Sequence, residues 1–193
     1  MIFLSYIKTN VTEFITKLRS LCATLKINII WLLAVMWLES RLNPKAVNSN
    51  GGATGLIQFM PSTAIALGTT TTALYNMSNV QQLVYVYKYL KPYAPKIKNF
   101  YDLYLAIFFP LAMGKPDSWI IHSDNLTAER VANANPGFDL DKNKQITIAE
   151  FKAAVNKLLP AEALKAIVEP GIKIIPLVVS GLIIGYIYNK IRA

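Results

Sequence analysis

ESRLNPKAVNSNGGATGLIQFMPSTAIALG, Glu39 to Gly68, joins a carboxylate to a small-residue loop and a proline-led segment. It follows Ile29 to Leu38, IIWLLAVMWL, a run with no charge and no polar face. Such a run reads as a buried helix rather than an amphipathic surface one. The helix is expected to stop near Asn43, because Pro44 disfavours the α conformation of the residue before it. A loop rich in Asn and Gly follows, Asn48 to Gly55, and Pro61 to Leu67 predicts a short helix ending at Gly68. Glu39 therefore sits where a wall of apolar side chains meets a small-residue loop.

A carboxyl in that position is expected to be desolvated and held protonated near neutral pH, the state a general acid needs. No other Asp or Glu occurs from Ser40 through Tyr101. A site built from this stretch has one carboxylate, where most glycosidases use two. Two mechanisms stay open on these residues: a one-acid reaction, or a second acid contributed from Asp102 or beyond. The same pattern also suits an ordinary surface pair of Glu39 with Arg41 or Lys45.

Outward from this core, Asn10 to Leu25 carries apolar residues at helical spacing. Ser78 and Gln81 form a capping box for a helix through Leu90. Asn99 to Phe109 is a further short helix stopped by Pro110, and the threonine run at 69–72 reads as a spacer. With several helices and no alternating strand, the expected class is mostly α. Of the 193 residues, 53% are hydrophobic and 16% charged, at a net charge of +9. Ten Lys/Arg face two acids through Tyr101, and ten face nine thereafter. A basic first half suits a polyanionic partner, yet no recognition motif accompanies it, so nucleic acid is not the expected one. Cys22, the single cysteine, fits a small core position and excludes an intrachain disulfide. His122, the single histidine, cannot anchor a zinc site alone. The opening MIFLSYI lacks a basic region and a cleavage site, so no signal peptide is expected.

Several of these parts recur together at fixed spacing: Glu39-Ser40, Asn43-Pro44, Gly51 to Ala53, Gly55-Leu56-Ile57-Gln58, and Met60-Pro61 to Thr63-Ala64. The ensemble resembles the lytic transglycosylases related to goose-type lysozyme, with the clear likeness running from Ile29 to Tyr101. The resemblance implies a lysozyme-like fold and cleavage of the MurNAc–GlcNAc bond of bacterial peptidoglycan. Glu39 would protonate the leaving oxygen and then, as carboxylate, take the proton of the sugar's own 6-hydroxyl, which closes on C1 to give a 1,6-anhydromuramic end. An internal nucleophile would explain a single carboxylate. Ser40 and Gln58 match cleft positions where a hydroxyl and an amide hold the acid and the sugar. Gly55, with Gly51 and Gly52, would let the backbone approach the glycan. A hydrolytic lysozyme of the same fold and a non-catalytic wall-binding protein are the rivals.

The chain departs from the family where many members carry Ala-Ala-Tyr-Asn-Ala-Gly. Here the nearest stretch is Leu105-Ala106-Ile107-Phe108-Phe109-Pro110. Phe108 can stack on a sugar but cannot hydrogen-bond. Tyr101 and Tyr104, on the same helix, are the candidates for the missing hydroxyl.

Downstream, Asp139 to Glu150 fits the twelve-residue EF-hand template for Ca2+. Asp139, Asp141 and Asn143 take the first side-chain positions, Gln145 gives a carbonyl, Thr147 takes the ninth position and Glu150 the bidentate carboxylate. Lys144 stands where glycine normally turns the loop, so left-handed strain is expected there, and Pro136-Gly137 leaves the incoming helix short. With no second copy, the expected role is a structural clip rather than a switch.

Finally, IKIIPLVVSGLIIGYIY, Ile172 to Tyr188, reads as a C-terminal membrane helix near the short limit of about 17 residues. Gly181 and Gly185 offer a small-residue contact for self-association. The expected organisation is a catalytic domain over 1–125, an EF-hand-like segment over 126–160, a hinge over 161–171 and a membrane anchor over 172–193. The partners are peptidoglycan and a lipid membrane. The expected location is a phage virion membrane, with the bacterial cell envelope as the other choice.

Overall fold

The computed structural model describes residues 2–168, together with the backbone of 173–179 and 182–188. Two compact units emerge: Met1–Ala94 with Ala161–Ala193, and Pro95–Pro160. The first 125 residues are thus divided after Ala94.

In the first unit, α1 (Val11–Leu25) buries Phe14, Leu18, Leu21, Cys22 and Leu25 along one stripe. It packs against α2 (Ile29–Ser40) and α5 (Asn79–Leu90). α2 is the core element. Asn28 caps it by accepting the Ile30 N–H at 2.8 Å, and Leu32 through Met36 are at most 1% exposed. Burying each such side chain contributes roughly 1.5–3 kcal/mol, which outweighs the modest helix propensity of Ile, Trp and Val here. The helix ends at Ser40, three residues before the expected Asn43, because Arg41 and Leu42 turn left-handed at φ 54° and 61°. Pro44 therefore follows a stop already made.

Beyond the loop come α3 (Pro61–Ala66) and α4 (Thr71–Asn76). The threonine run is not a spacer: Thr70 accepts the Ala73 N–H at 3.0 Å and starts α4. Threonine's capping capacity won over its weak interior propensity. α5 starts with the expected Ser78/Gln81 capping box.

The second unit holds α6 (Phe100–Phe108), capped by Asn99, then α7 (Ala128–Ala134) and α8 (Ile148–Leu158). Its core is aromatic. Phe108 stacks on Phe151 at 5.3 Å, and Phe138 and Tyr104 pack on the same ring at 5.2 Å each.

Two expectations near the C-terminus need correction. Residues 161–168 of the supposed hinge form α9 (Ala161–Val168), whose Ala163, Ala166 and Ile167 are buried and which packs on α2. That spacing is helical, and Pro160 just ahead of it marks a start rather than a linker. Where a membrane helix was expected, β1 (Lys173–Val179) and β2 (Leu182–Tyr188) pair antiparallel, with Pro176 opposite Gly185. Pro inside a helix and a run of β-branched residues both weigh toward strands. The remainder of the 172–193 segment, including Gly181, lies outside the described residues. No single helix among those described is long and apolar enough to cross a membrane.

Candidate active site

Glu39 occupies the last turn of α2 and is half-buried. The other carboxylates in the described part of the first unit, Glu13 and Glu162, are exposed in the first turns of α1 and α9. Three polar side chains hold the loop that follows α2. Ser40 is 7% exposed, and its hydroxyl lies 2.9 Å from the Met36 carbonyl and 3.0 Å from that of Leu56. It therefore ties the helix end to the loop, which is a positioning role. Gln58, at φ 51°, donates its amide to the carbonyls of Ala46 (3.3 Å) and Gly55 (3.0 Å). Thr54 and Phe59 exchange backbone hydrogen bonds across the turn, at 3.0 and 2.9 Å.

The third side chain, Gln82 of α5, was not foreseen from the sequence. It is fully buried and spends its amide on three backbone groups. Its oxygen accepts the Leu56 N–H at 2.9 Å, and its nitrogen donates to Pro44 (2.6 Å) and Leu74 (2.8 Å). Gly55 is required by the same contact. Its φ is 87°, and a Cβ there would meet the Gln82 oxygen at 2.5 Å. The signal for Gln82 was a polar residue on the buried stripe of an amphipathic helix, three positions after Asn79.

Tyr89, also on α5, is a second residue that the sequence reading missed. Its ring meets Phe59 edge-on at 6.3 Å and Tyr93 at 5.7 Å. Burial raises its hydroxyl well above the ordinary tyrosine range, and the charges of Tyr93 and Glu39 add to this. Tyr89 thus stays a protonated donor close enough to Glu39 to feel its charge. Cys22 takes the core place expected of it, and burial pushes its thiol up to about 12, which makes it no nucleophile.

The aromatic residues expected to line the cleft are engaged within the second unit. Tyr101 donates its hydroxyl to Asn156 at 2.7 Å. Tyr104 is 5% exposed, and Phe108 also packs on Phe138 at 5.0 Å. Helical spacing serves a core and a cleft equally well, so the sequence could not separate the two roles.

In the 139–150 loop, carboxylate oxygens of Asp139, Asp141 and Glu150 lie within 4.8 Å of one another. Asp139 accepts the N–H groups of Asn143 (3.1 Å) and Lys144 (3.0 Å). Lys144 is left-handed at φ 66°, as its place in the template demands, and its ammonium pairs with Glu129 at 2.9 Å. Burial works against the charged form of Glu150. Hydrogen bonds from the Thr147 backbone and hydroxyl and from the Asp141 and Leu140 N–H groups outweigh it, so the carboxyl is held below its usual range. The Ile146 carbonyl accepts the Ile121 N–H at 2.8 Å, and α7, ahead of the loop, is a helix of seven residues. An all-oxygen set of this kind suits a hard divalent cation. The backbone N–H of Gln145 donates to the Asn143 side-chain oxygen at 2.8 Å. His122 is exposed and stacks on Trp119 at 5.2 Å.

Residues 23–108, from within α1 to the end of α6, match the family described as the transglycosylase SLT domain. No curated protein and no solved structure matches the chain. The stretch from 23 to 108 is therefore similar to that family, in a chain that is mostly helical among its described residues.

Proposed function

We propose that this transglycosylase-like domain cleaves the MurNAc–GlcNAc bond of peptidoglycan with Glu39 as its one acid and base. The observation that carries the reading is the family match over residues 23–108, inside which Glu39 closes an apolar helix as the sole carboxylate through Tyr101. The Glu39 proton goes to the glycosidic oxygen as the C1–O bond breaks. The carboxylate then takes the proton of the 6-hydroxyl while O6 bonds to C1. Acid and base are restored and no water is consumed. Tyr89 is the positioning donor that orients Glu39, in place of the hydroxyl absent from the third motif. Purified peptidoglycan should release soluble muropeptides with wild type and none with Glu39→Gln. Equal release by the two would remove Glu39 from the chemistry.

Two further parts belong to this reading. The 139–150 loop is a calcium clip, supported by its clustered carboxylates and by the match to the ligand positions. The apolar 172–193 segment associates with lipid, placing the enzyme at a phage virion membrane or the bacterial cell envelope; Gly181 and Gly185 are its candidate self-association points. Flotation with lipid vesicles should carry the full chain and leave a chain lacking 172–193 behind. Equal sedimentation of both would end the membrane reading.

A further inference from the structure

A cavity of about 360 Å³ opens where the N-terminal segment crosses the end of α2. Tyr6, Lys8, Arg41 and Asn43 line it, Leu42 and Pro44 give it an apolar wall, and no acidic residue faces it. The ion pairs among the described residues lie elsewhere, at Lys144–Glu129 and Lys152–Asp117. Lys8 and Arg41 thus bring two cations to one concavity without a carboxylate partner. Like charges so placed repel, and an apolar wall strengthens the field felt by an anion there.

The polar groups on offer are donors. Lys8 gives one ammonium proton to the Ser5 carbonyl at 2.9 Å and keeps the others. Arg41 spends a single guanidinium N–H on the Trp37 carbonyl at 2.9 Å. The Asn43 side-chain oxygen already accepts the Lys45 N–H at 2.9 Å, which leaves its amide nitrogen as a donor. Asn79, also on the wall, has its oxygen taken by the Val80 N–H at 2.9 Å and the Asn10 amide at 3.3 Å. An anion entering the cavity therefore meets neither amide oxygen free.

Arg41 is also held in advance. Its guanidinium lies 3.7 Å from the centre of the Trp37 ring, which is itself packed by Phe3 at 5.5 Å and Tyr6 at 5.7 Å. A guanidinium fixed by a ring and a carbonyl loses little entropy on forming a forked pair with an oxyanion.

We propose that this cavity is a phosphate site and that its ligand is a phosphate ester. A phosphate carries up to about two charges near neutral pH and points its oxygens in several directions. It can use donors from Lys8, Arg41 and Asn43 together, whereas a carboxylate has a single charge and its oxygens lie in one plane. The Tyr6 ring and the Leu42–Pro44 wall give the carbon body of the ester an apolar surface. A small soluble ester and the headgroup of an anionic phospholipid share this chemistry. The site does not depend on the cleavage reading.

Calorimetry on the full chain tests it, at fixed ionic strength because salt screens exposed charges. The probes are inorganic phosphate, glycerol phosphate, acetate, and a short-chain phosphatidylglycerol kept below its micelle concentration. At least one ester should bind with a Kd of about 1 mM or tighter, and about tenfold more tightly than acetate. Tighter binding of glycerol phosphate makes the ligand a soluble ester, and tighter binding of the lipid makes it a headgroup. Lys8→Gln removes one charge, and Arg41→Lys keeps the charge but loses the fork. Each should weaken ester binding several-fold, and the two together about tenfold or more. Lys8→Gln, at an exposed position, decides the matter if the Arg41 variants melt early. Three results overturn the site: no ester binds, acetate binds as tightly as the esters, or ester binding is unmoved by the substitutions.

Discussion

At the scale of single residues, the loop after Glu39 depends on what is buried beneath it. Gly55 stands at φ 87° under the Gln82 amide, so Gly55→Ala meets both a strained backbone and an oxygen at 2.5 Å. We expect it to cost about 2–4 kcal/mol, read by urea unfolding; an unchanged midpoint would mean that the loop yields freely. Tyr89→Phe removes the donor and keeps the ring against Phe59. It should lower kcat by about tenfold or more with KM nearly unchanged, the pattern of an interaction realised in the transition state. An unchanged kcat would strip Tyr89 of its positioning role. The sequence made Glu39, Ser40, Gly55 and Gln58 legible because they sit close together in one ordered stretch. Gln82 and Tyr89 were hidden because they come from a helix some thirty residues later, and their roles exist only once α5 packs beside the loop.

At the scale of elements, α1, α2, α5 and α6 were readable from periodicity, caps and apolar runs. The misreadings have physical causes. α4 was lost because threonine acts as a cap rather than a breaker, and α9 because alanine makes a weak apolar stripe. Tyr104 and Phe108 of α6, expected in the cleft, both pack on Phe151, because an aromatic at helical spacing serves either purpose. The 139–150 loop gives the sharpest prediction at this scale. Lys144 holds φ 66°, a conformation glycine adopts without penalty, and its exposed pair with Glu129 is worth little. Lys144→Gly should therefore stabilise the loop by about 1 kcal/mol and tighten calcium binding, seen as a larger rise in Tm on calcium addition. Asp139→Ala should abolish that rise. A Tm indifferent to calcium in wild type and in Lys144→Gly would leave the loop as a polar turn.

At the scale of the whole molecule, the basic residues of the first half face little opposing charge: only two acids precede Asp102. That asymmetry suits an anionic polymer, and the proposed function takes that polymer to be peptidoglycan. Composition carried this much, whereas the division after Ala94 and the β1–β2 pairing were not readable. Neither depends on periodicity within one segment; both depend on which segments find partners. The central claim is that one carboxylate and the sugar's own hydroxyl do the work that two carboxylates and a water do elsewhere. Digestion of peptidoglycan in heavy-oxygen water, with the muropeptides weighed by mass spectrometry, tests it most directly. The account predicts anhydro products lighter than hydrolysis products by one water, about 18 Da, with no heavy oxygen incorporated. Full-mass reducing ends carrying the heavy oxygen would contradict it, because water and not the 6-hydroxyl would then be the nucleophile.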